Sequence, residues 1–342
     1  MPVSGPRGAG EYARVLAIAN EVARRWPDSA IHFVVSSAAP YANSVPFPAT
    51  LVPASPTYHS REVAETIAQF RPTLTIFDNA GRTEQLRSAL RAGSRIVYVS
   101  SRLRQRRKAF RLRWMRMLDE HWVAYPEFVA GPPGPVEGAK LRWMGRPTLR
   151  YLDALLPPVE VERARRTLAQ FGLRAGEYVL VVPGGGTAHR GAENAPAIVA
   201  EAAARIASHG RPVLLVGIVD PGVAAPLLQS CGSLPVGPFS DLLRNAGLVV
   251  SNGGDTMLQA LACGRACIAV PIAGDQQHRI DRCAQKGVVV SAPLEAEAME
   301  RHAVELLEDA ALRDGLAARL AGSGITDGMA TVMTAIEQLH SR

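Results

Sequence analysis

Short, largely apolar runs alternate with longer segments of helical periodicity along the whole chain. In the first half, Ala30 to Ser36, Thr73 to Phe77, Arg95 to Ser100 and a run near Trp122 to Tyr125 read as buried strands. Arg14 to Arg25, Arg61 to Phe70 and 83–92 have helical spacing, and a Pro-rich loop covers Pro40 to Pro56. A second series follows, with strands predicted at Tyr178 to Val182, Val213 to Gly217, Leu248 to Ser251, Ala266 to Val270 and Val288 to Val290. Its helices are predicted at Ala195 to Ser208, from near Asp255 and Gln277, and over 295–320 and 327–340. Strands separated by helix-length segments imply βαβ units and a parallel sheet. Gly131-Pro-Pro-Gly-Pro135 and Pro157-Pro158 mark loops near a boundary. The expected architecture is α/β, with two doubly wound domains facing a central cleft: 1–150, 151–325, and a C-terminal helix at 326–342 packing back towards the first domain. No internal repeat or low-complexity tract interrupts it.

Composition narrows the function classes. A length of 342 residues suits two domains that bury their own cores. A charged fraction of 20% and 47% hydrophobic residues exclude a disordered chain, and no apolar stretch approaches the ~20 residues of a membrane span. The first ten residues lack a basic start followed by an apolar core, so the expectation is cytoplasmic residence. Cys231, Cys263, Cys267 and Cys283 are too few for a disulfide framework and lack the partners of a zinc site; they read as reduced core thiols, and no metal is expected.

The net charge of +7 is concentrated in one place. Residues 101–118 hold 8 Lys+Arg and no acid, leaving 30 basic against 31 acidic residues elsewhere. On a helix, Leu103, Phe110, Trp114, Met117 and Leu118 form one stripe, with cations over the remaining circumference. Three readings stay open. Arg106, Arg107, Lys108, Arg111 and Trp114 contact an anionic membrane or substrate; the segment is a solvated helix docked by its stripe; or it binds nucleic acid, for which no zinc-finger, helix-turn-helix or RNP signature is present.

The densest chemistry lies between Val249 and Gln277. A strand runs into Asn252-Gly253-Gly254, a helix starts at Asp255-Thr256, and the next strand ends at Pro271 before Asp275-Gln276-Gln277. Glycines at a strand-to-helix turn let the backbone approach an anion, and the free N–H groups and dipole of the helix start attract it. An ordinary tight turn is the competing reading; coupling to the Asp-Gln-Gln turn one strand later favours a diphosphate site.

Residues 236–290 resemble the nucleotide-sugar half of GT-B glycosyltransferases, the group of the lipid II N-acetylglucosaminyltransferase and the UDP-glycosyltransferases. The resemblance implies that Phe239 lies near the base, Asn252, Gly253, Gly254, Asp255 and Thr256 at the diphosphate, Gln259 at the ribose, and Asp275, Gln276 and Gln277 at the sugar. Gln259 departs from the usual Glu, and a neutral amide makes a weaker diol contact. Pro183-Gly184-Gly185-Gly186-Thr187 resembles the same family's second glycine loop, with Thr187 as a donor to the diphosphate. Arg190, close behind with His189, either neutralises phosphate charge or is solvated surface.

Gly8-Ala-Gly-Glu-Tyr-Ala-Arg-Val-Leu resembles the N-terminal loop of these enzymes, and most closely the Gly-x-Gly-His-x-x-Arg-x-Leu pattern of the nucleotide-sugar hydrolase of pseudaminic acid synthesis. Gly8, Gly10, Arg14 and Leu16 match, Glu11 replaces the His, and Asp327-Gly328 also resembles that group. A carboxylate is a weaker base than an imidazole at neutral pH, so Glu11 stays open as a base, an acceptor contact or a helix-start carboxylate. Asp78, at the carboxyl end of a predicted strand, is a second candidate base or a turn residue before Gly81.

Together these features predict a metal-independent, inverting glycosyltransferase that moves a sugar from a nucleotide diphosphate sugar, UDP favoured, to a hydroxyl acceptor. The basic segment adds the expectation of a lipid-linked or membrane-proximal acceptor and a peripheral location on the inner membrane face, in cell-envelope polysaccharide synthesis. The alternatives are a nucleotide-sugar hydrolase, with water in place of the acceptor, and a catalytically silent GT-B scaffold that binds an anionic partner.

Overall fold

The computed structural model describes residues 1–3, 10–184 and 192–341. The chain divides into two compact units, Met1–Leu155 with Gly328–Arg342, and Leu156–Asp327.

Unit 1 contains helices α1 (Gly10–Arg25), α2 (Ser60–Phe70), α3 (Thr83–Arg91), α4 (Leu103–Ala109), α5 (Leu112–Met115), α6 (Glu127–Ala130) and α7 (Pro135–Met144). Its strands are β1 (Phe33–Ser36), β2 (Ala49–Val52), β3 (Leu74–Asp78), β4 (Arg95–Ser100), β5 (Glu120–Val123) and β6 (Thr148–Tyr151). β1 pairs with β2, and β3, β4, β5 and β6 pair in that order, all parallel. Residues 1–3 join the two sheets: Val3 N–H donates to the Val34 carbonyl and Asp78 N–H to the Pro2 carbonyl, each at 3.1 Å. With this segment counted as the first strand, the spatial order is 3-2-1-4-5-6-7, and the connections reverse direction between residues 1–3 and β3. Apolar residues fill both faces. Val97, Val99 and Trp122 pack with α1 and the C-terminal helix on one face, whereas Phe77, Tyr98, Trp114 and Leu118 lie on the other.

Unit 2 contains α8 (Val161–Gln170), α9 (Ala195–Ser208), α10 (Val236–Asn245), α11 (Asp255–Ala262), α12 (Gln276–Gln285), α13 (Ala296–Glu308) and α14 (Ala310–Ala321). α15 (Met329–His340) returns to unit 1, where Val332, Met333, Ala335 and Ile336 join the face built on Val97 and Trp122. The strands of unit 2 are β7 (Val179–Val182), β8 (Val213–Val216), β9 (Leu228–Cys231), β10 (Leu248–Asn252), β11 (Cys267–Val270) and β12 (Val290–Ser291). They form one parallel sheet in the order β12-β11-β10-β7-β8-β9. In chain order this is again 3-2-1-4-5-6, with the reversal between β7 and β10. The runs at β7, β8 and β11 are apolar throughout because a parallel sheet covered by helices buries both faces.

The four cysteines are unpaired, and burial pushes the Cys267 and Cys283 thiols up to about 12. No described helix is long and apolar enough to cross a membrane.

The single helix expected over 101–118 does not form. α4 ends at Ala109, with Phe110 as its C-cap, and α5 starts after an extended Arg111. Trp114 is 1% exposed and its indole N–H donates to Thr83, so it does not reach a membrane surface. Arg106 is equally committed: Nη1 and Nη2 bond the carbonyls of Ala130, Gly131 and Pro132, and Glu137 lies 3.6 Å away. Of the apolar stripe, Phe110, Trp114, Met117 and Leu118 are buried but Leu103 is 59% exposed, and Arg102, Arg104, Arg107, Arg111, Arg113 and Arg116 remain exposed.

Candidate functional site

In open α/β sheets ligands bind beyond the carboxyl ends of strands where the connections reverse. In unit 2 that point is flanked by Pro183-Gly184 after β7 and Asn252-Gly253-Gly254 after β10. Asn252 ties the two turns together. Its Nδ2 donates to the Pro183 carbonyl at 3.1 Å, and its Oδ1 accepts from the Gly254 N–H at 3.0 Å. Gly184 has φ +118°, and a Cβ there would sit 2.2 Å from Asn252 Nδ2, so both conformation and space require glycine. A Cβ on Gly253 would strike Ile280 at 2.6 Å, which lets α12 pack directly behind the turn.

α11 starts immediately after Gly254, with Asp255 and Thr256 in its first turn and Gln259 one turn on. All three are partly buried. Arg279, on α12, is 8% exposed; its Nε donates to the Gly253 carbonyl at 2.8 Å and Nη1 to Asp275 at 3.0 Å. The glycine turn is therefore held by a buried guanidinium that is itself paired with Asp275. Gln276 departs from the expected sugar contact. It is 6% exposed, and its Oε1 accepts from the N–H groups of Ile272 and Ala273, so this carbonyl shapes the turn after β11. Asp275 and Gln277 are exposed beside it, and Gln277 Nε2 donates to Asp281. Phe239 is not in a loop: it lies in the first turns of α10, its N–H bonded to the Pro235 carbonyl. Gly185, Gly186, Thr187, His189 and Arg190 fall outside the described residues, as does Gly8.

The corresponding point of unit 1 gathers Glu11, Arg14, Asp78, Asn79 and Ser101. Asp78 is fully buried and takes a two-pronged ion pair from Arg14, Nε at 2.8 Å and Nη2 at 3.1 Å. The buried, two-pronged pair gives Asp78 the role of holding Arg14 in place. Glu11, next to Gly10 in the first turn of α1, is partly exposed and accepts from Asn79 Nδ2 at 2.9 Å. Asn79 has φ +50°, and its Nδ2 also lies 3.2 Å from Asp78 Oδ1 and 2.7 Å from Ser101 Oγ, while its Oδ1 accepts from the Ser101 N–H. The left-handed backbone aims this amide at all three neighbours. Tyr41 stacks on Tyr12 at 3.9 Å; burial first, then Glu11, Tyr12 and Asp78, raises its phenol.

Asn79, Ser101 and Arg279 escaped the sequence reading because each acts through partners distant in the chain. The only signal for Asn79 was its place directly after a strand end. Among the described residues no group of three or more His, Cys, Asp or Glu side chains is placed to hold a metal ion.

No protein-family model matches the chain, and no curated protein matches it by sequence. Solved structures do. The spinosyn forosaminyltransferase SpnP superposes with a TM-score of 0.68 at 13% identity, covering 100% of this chain and 98% of that one. The calicheamicin glycosyltransferase CalG4 gives 0.63 at 16% identity over 98% and 96%. UGT2 of Phytolacca americana, solved with UDP-2fluoro-glucose and pterostilbene, gives 0.62 at 13% identity over 98% and 97%. The chain has the GT-B glycosyltransferase fold.

Proposed function

We propose that the protein is a metal-independent, inverting glycosyltransferase that uses a nucleotide diphosphate sugar, UDP-sugar first among them. The observation that carries this reading is the pair of glycine turns at the strand reversal of unit 2, cross-tied by Asn252 and backed by Arg279. The donor diphosphate sits at Gly253, Gly254 and the start of α11, the ribose at Gln259, and the sugar near Asp275 and Gln277. Backbone N–H groups and the dipole of α11 stabilise the charge that grows on the departing diphosphate.

Glu11 is the base and Asn79 positions it. The acceptor hydroxyl attacks C1 from the face opposite the leaving group; its proton goes to Glu11, the new C1–O bond forms, and the bond from C1 to the diphosphate oxygen breaks with its electron pair. The configuration at C1 inverts in this single displacement. Asp78 holds Arg14 and, through it, α1. Should water take the acceptor's place, the same displacement describes a nucleotide-sugar hydrolase.

Thermal-shift titration with UDP-, dTDP- and GDP-sugars tests donor binding, since a ligand at 100 times its Kd adds about 2.7 kcal/mol of stability. A shift with one nucleotide class is the expected result. No shift with any of them would remove the reading and leave a scaffold without catalytic function. Free sugar released without acceptor at catalytic rates would identify the hydrolase.

A further inference from the structure

The cations around Lys108 lie apart in the chain from both Glu11 and the glycine turns of unit 2. Lys108 Nζ donates to the Gly81 carbonyl at 2.6 Å and lies 4.4 Å from the centre of the Trp114 ring. Those contacts fix the ammonium beside the loop that follows Asp78 and Asn79. Arg82, the next residue in that loop, donates through Nε to the Thr57 carbonyl at 2.8 Å and lies over Tyr58. Arg104 is one helical turn before Lys108 on α4, and Arg111 follows the break after it. Burial, and then the charges of Arg82, Arg111 and Arg104, push the Lys108 ammonium down to about 8.

Among the described residues Arg82, Arg104, Lys108 and Arg111 take part in no ion pair, while Arg106 alone in the segment has one, with Glu137. The three arginines are exposed and Lys108 is half-buried. Cations crowded together without counter-charge raise the energy of the free protein and lower it again when an anion arrives. Three guanidinium forks and an ammonium outnumber the charge of a single carboxylate and suit the oxygens of a phosphate or diphosphate.

We propose that Arg82, Arg104, Lys108 and Arg111 form a phosphate-binding subsite of unit 1, through which the protein recognises a phosphorylated acceptor. Chain and hydrogen bonds connect it to Glu11: Gly81 lies in the loop leaving Asp78 and Asn79, and Ser101, bonded to Asn79, opens the segment leading into α4. Naming the ligand as the acceptor rests on the glycosyl-transfer reading; the phosphate site itself stands on the cation cluster.

Calorimetric titration of the full chain with inorganic pyrophosphate, in saturating UDP and without it, separates this subsite from a donor site in unit 2. The native protein should bind one equivalent with UDP present. The variant R82Q/R104Q/R111Q should weaken that equivalent by about tenfold or more, and R107Q/R113Q/R116Q, which removes the same number of charges, all from residues 101–118, by less than about threefold. Equal weakening by both variants, or no pyrophosphate binding to native protein, overturns the proposal. The single variants R104Q and R111Q, which break no described side-chain contact, carry the same test at roughly threefold each if the triple variant unfolds. Failure of UDP, dTDP and GDP alike to bind, with pyrophosphate binding still lost in the first triple variant, overturns the transfer reading and leaves the subsite standing. Sedimentation with phosphatidylcholine vesicles containing phosphatidic acid identifies the source. Binding lost only in R82Q/R104Q/R111Q places the phosphate on a lipid, and pyrophosphate binding without vesicle binding places it on a soluble acceptor.

Discussion

Replacing Asp78 with Asn separates the roles of the two carboxylates in unit 1. Asp78 is 0% exposed, Arg14 is 6% exposed, and two short hydrogen bonds join them. Asp78→Asn keeps the shape and removes the charge, so the guanidinium stays buried opposite a neutral amide. Breaking one side of a buried pair costs about 3–5 kcal/mol, mostly the desolvation of the charge left behind. At roughly 2–4 °C per kcal/mol for a unit of this size, the melting temperature should fall by ~6–20 °C. Glu11→Gln is a different perturbation. Glu11 is partly exposed, and a glutamine oxygen still accepts from Asn79 Nδ2, so stability should change by less than about 1 kcal/mol. Its initial rate of UDP release should fall by about 10²–10⁴-fold, the usual worth of a general base. Scanning calorimetry and the rate assay on both variants, with Arg14→Met/Asp78→Leu as the apolar replacement that recovers stability, complete the test. Native-like melting of Asp78→Asn refutes the structural role. A folded, inactive Asp78→Asn alongside a fully active Glu11→Gln would exchange the two assignments.

Three further outcomes follow from the geometry. Gly184→Ala places a methyl 2.2 Å from Asn252 Nδ2 at φ +118° and should weaken UDP binding by about tenfold or more, whereas Gly264→Ala, at φ +68° in open space, should cost about 1 kcal/mol of stability and leave binding unchanged; thermal shift with UDP reads both. Asp241→Asn leaves Arg163, paired to it at 2.6 and 3.1 Å, without its buried partner and should destabilise unit 2 by about 3 kcal/mol in urea unfolding. Arg24 above all, with Arg25, holds the Glu21 carboxyl down at about 2 against an ordinary 4.5. Its stabilisation is therefore full above pH 4.5 and lost as pH falls towards 2. Because Arg24 is 59% exposed, screening limits the effect to about 1–2 kcal/mol, and Glu21→Gln should flatten that part of the stability–pH curve.

What the sequence disclosed and what it hid divide along a physical line. Val179–Val182 and Arg95–Ser100 were legible as strands because central parallel strands are buried on both faces and so are dominated by apolar residues. β2, β6 and β9 were not, and all three are edge strands of their sheets, partly exposed and mixed in composition. α7 has no buried residue at all, so it leaves no apolar periodicity to read. Residues 101–118 show the converse error: helical spacing of Phe110 and Trp114 identifies an apolar stripe, but spacing is silent on whether the stripe meets the core or a membrane. In the candidate site the same distinction holds at the level of single residues. Gly184, Gly253 and Gly254 were visible because glycine announces a local backbone requirement. Asn79 makes its contacts with Glu11 and Ser101, 68 and 22 positions away, and Arg279 reaches back 26 positions to Gly253. Residues that shape a turn announce themselves locally; residues that join turns from different elements become visible only once the sheet has brought those elements together.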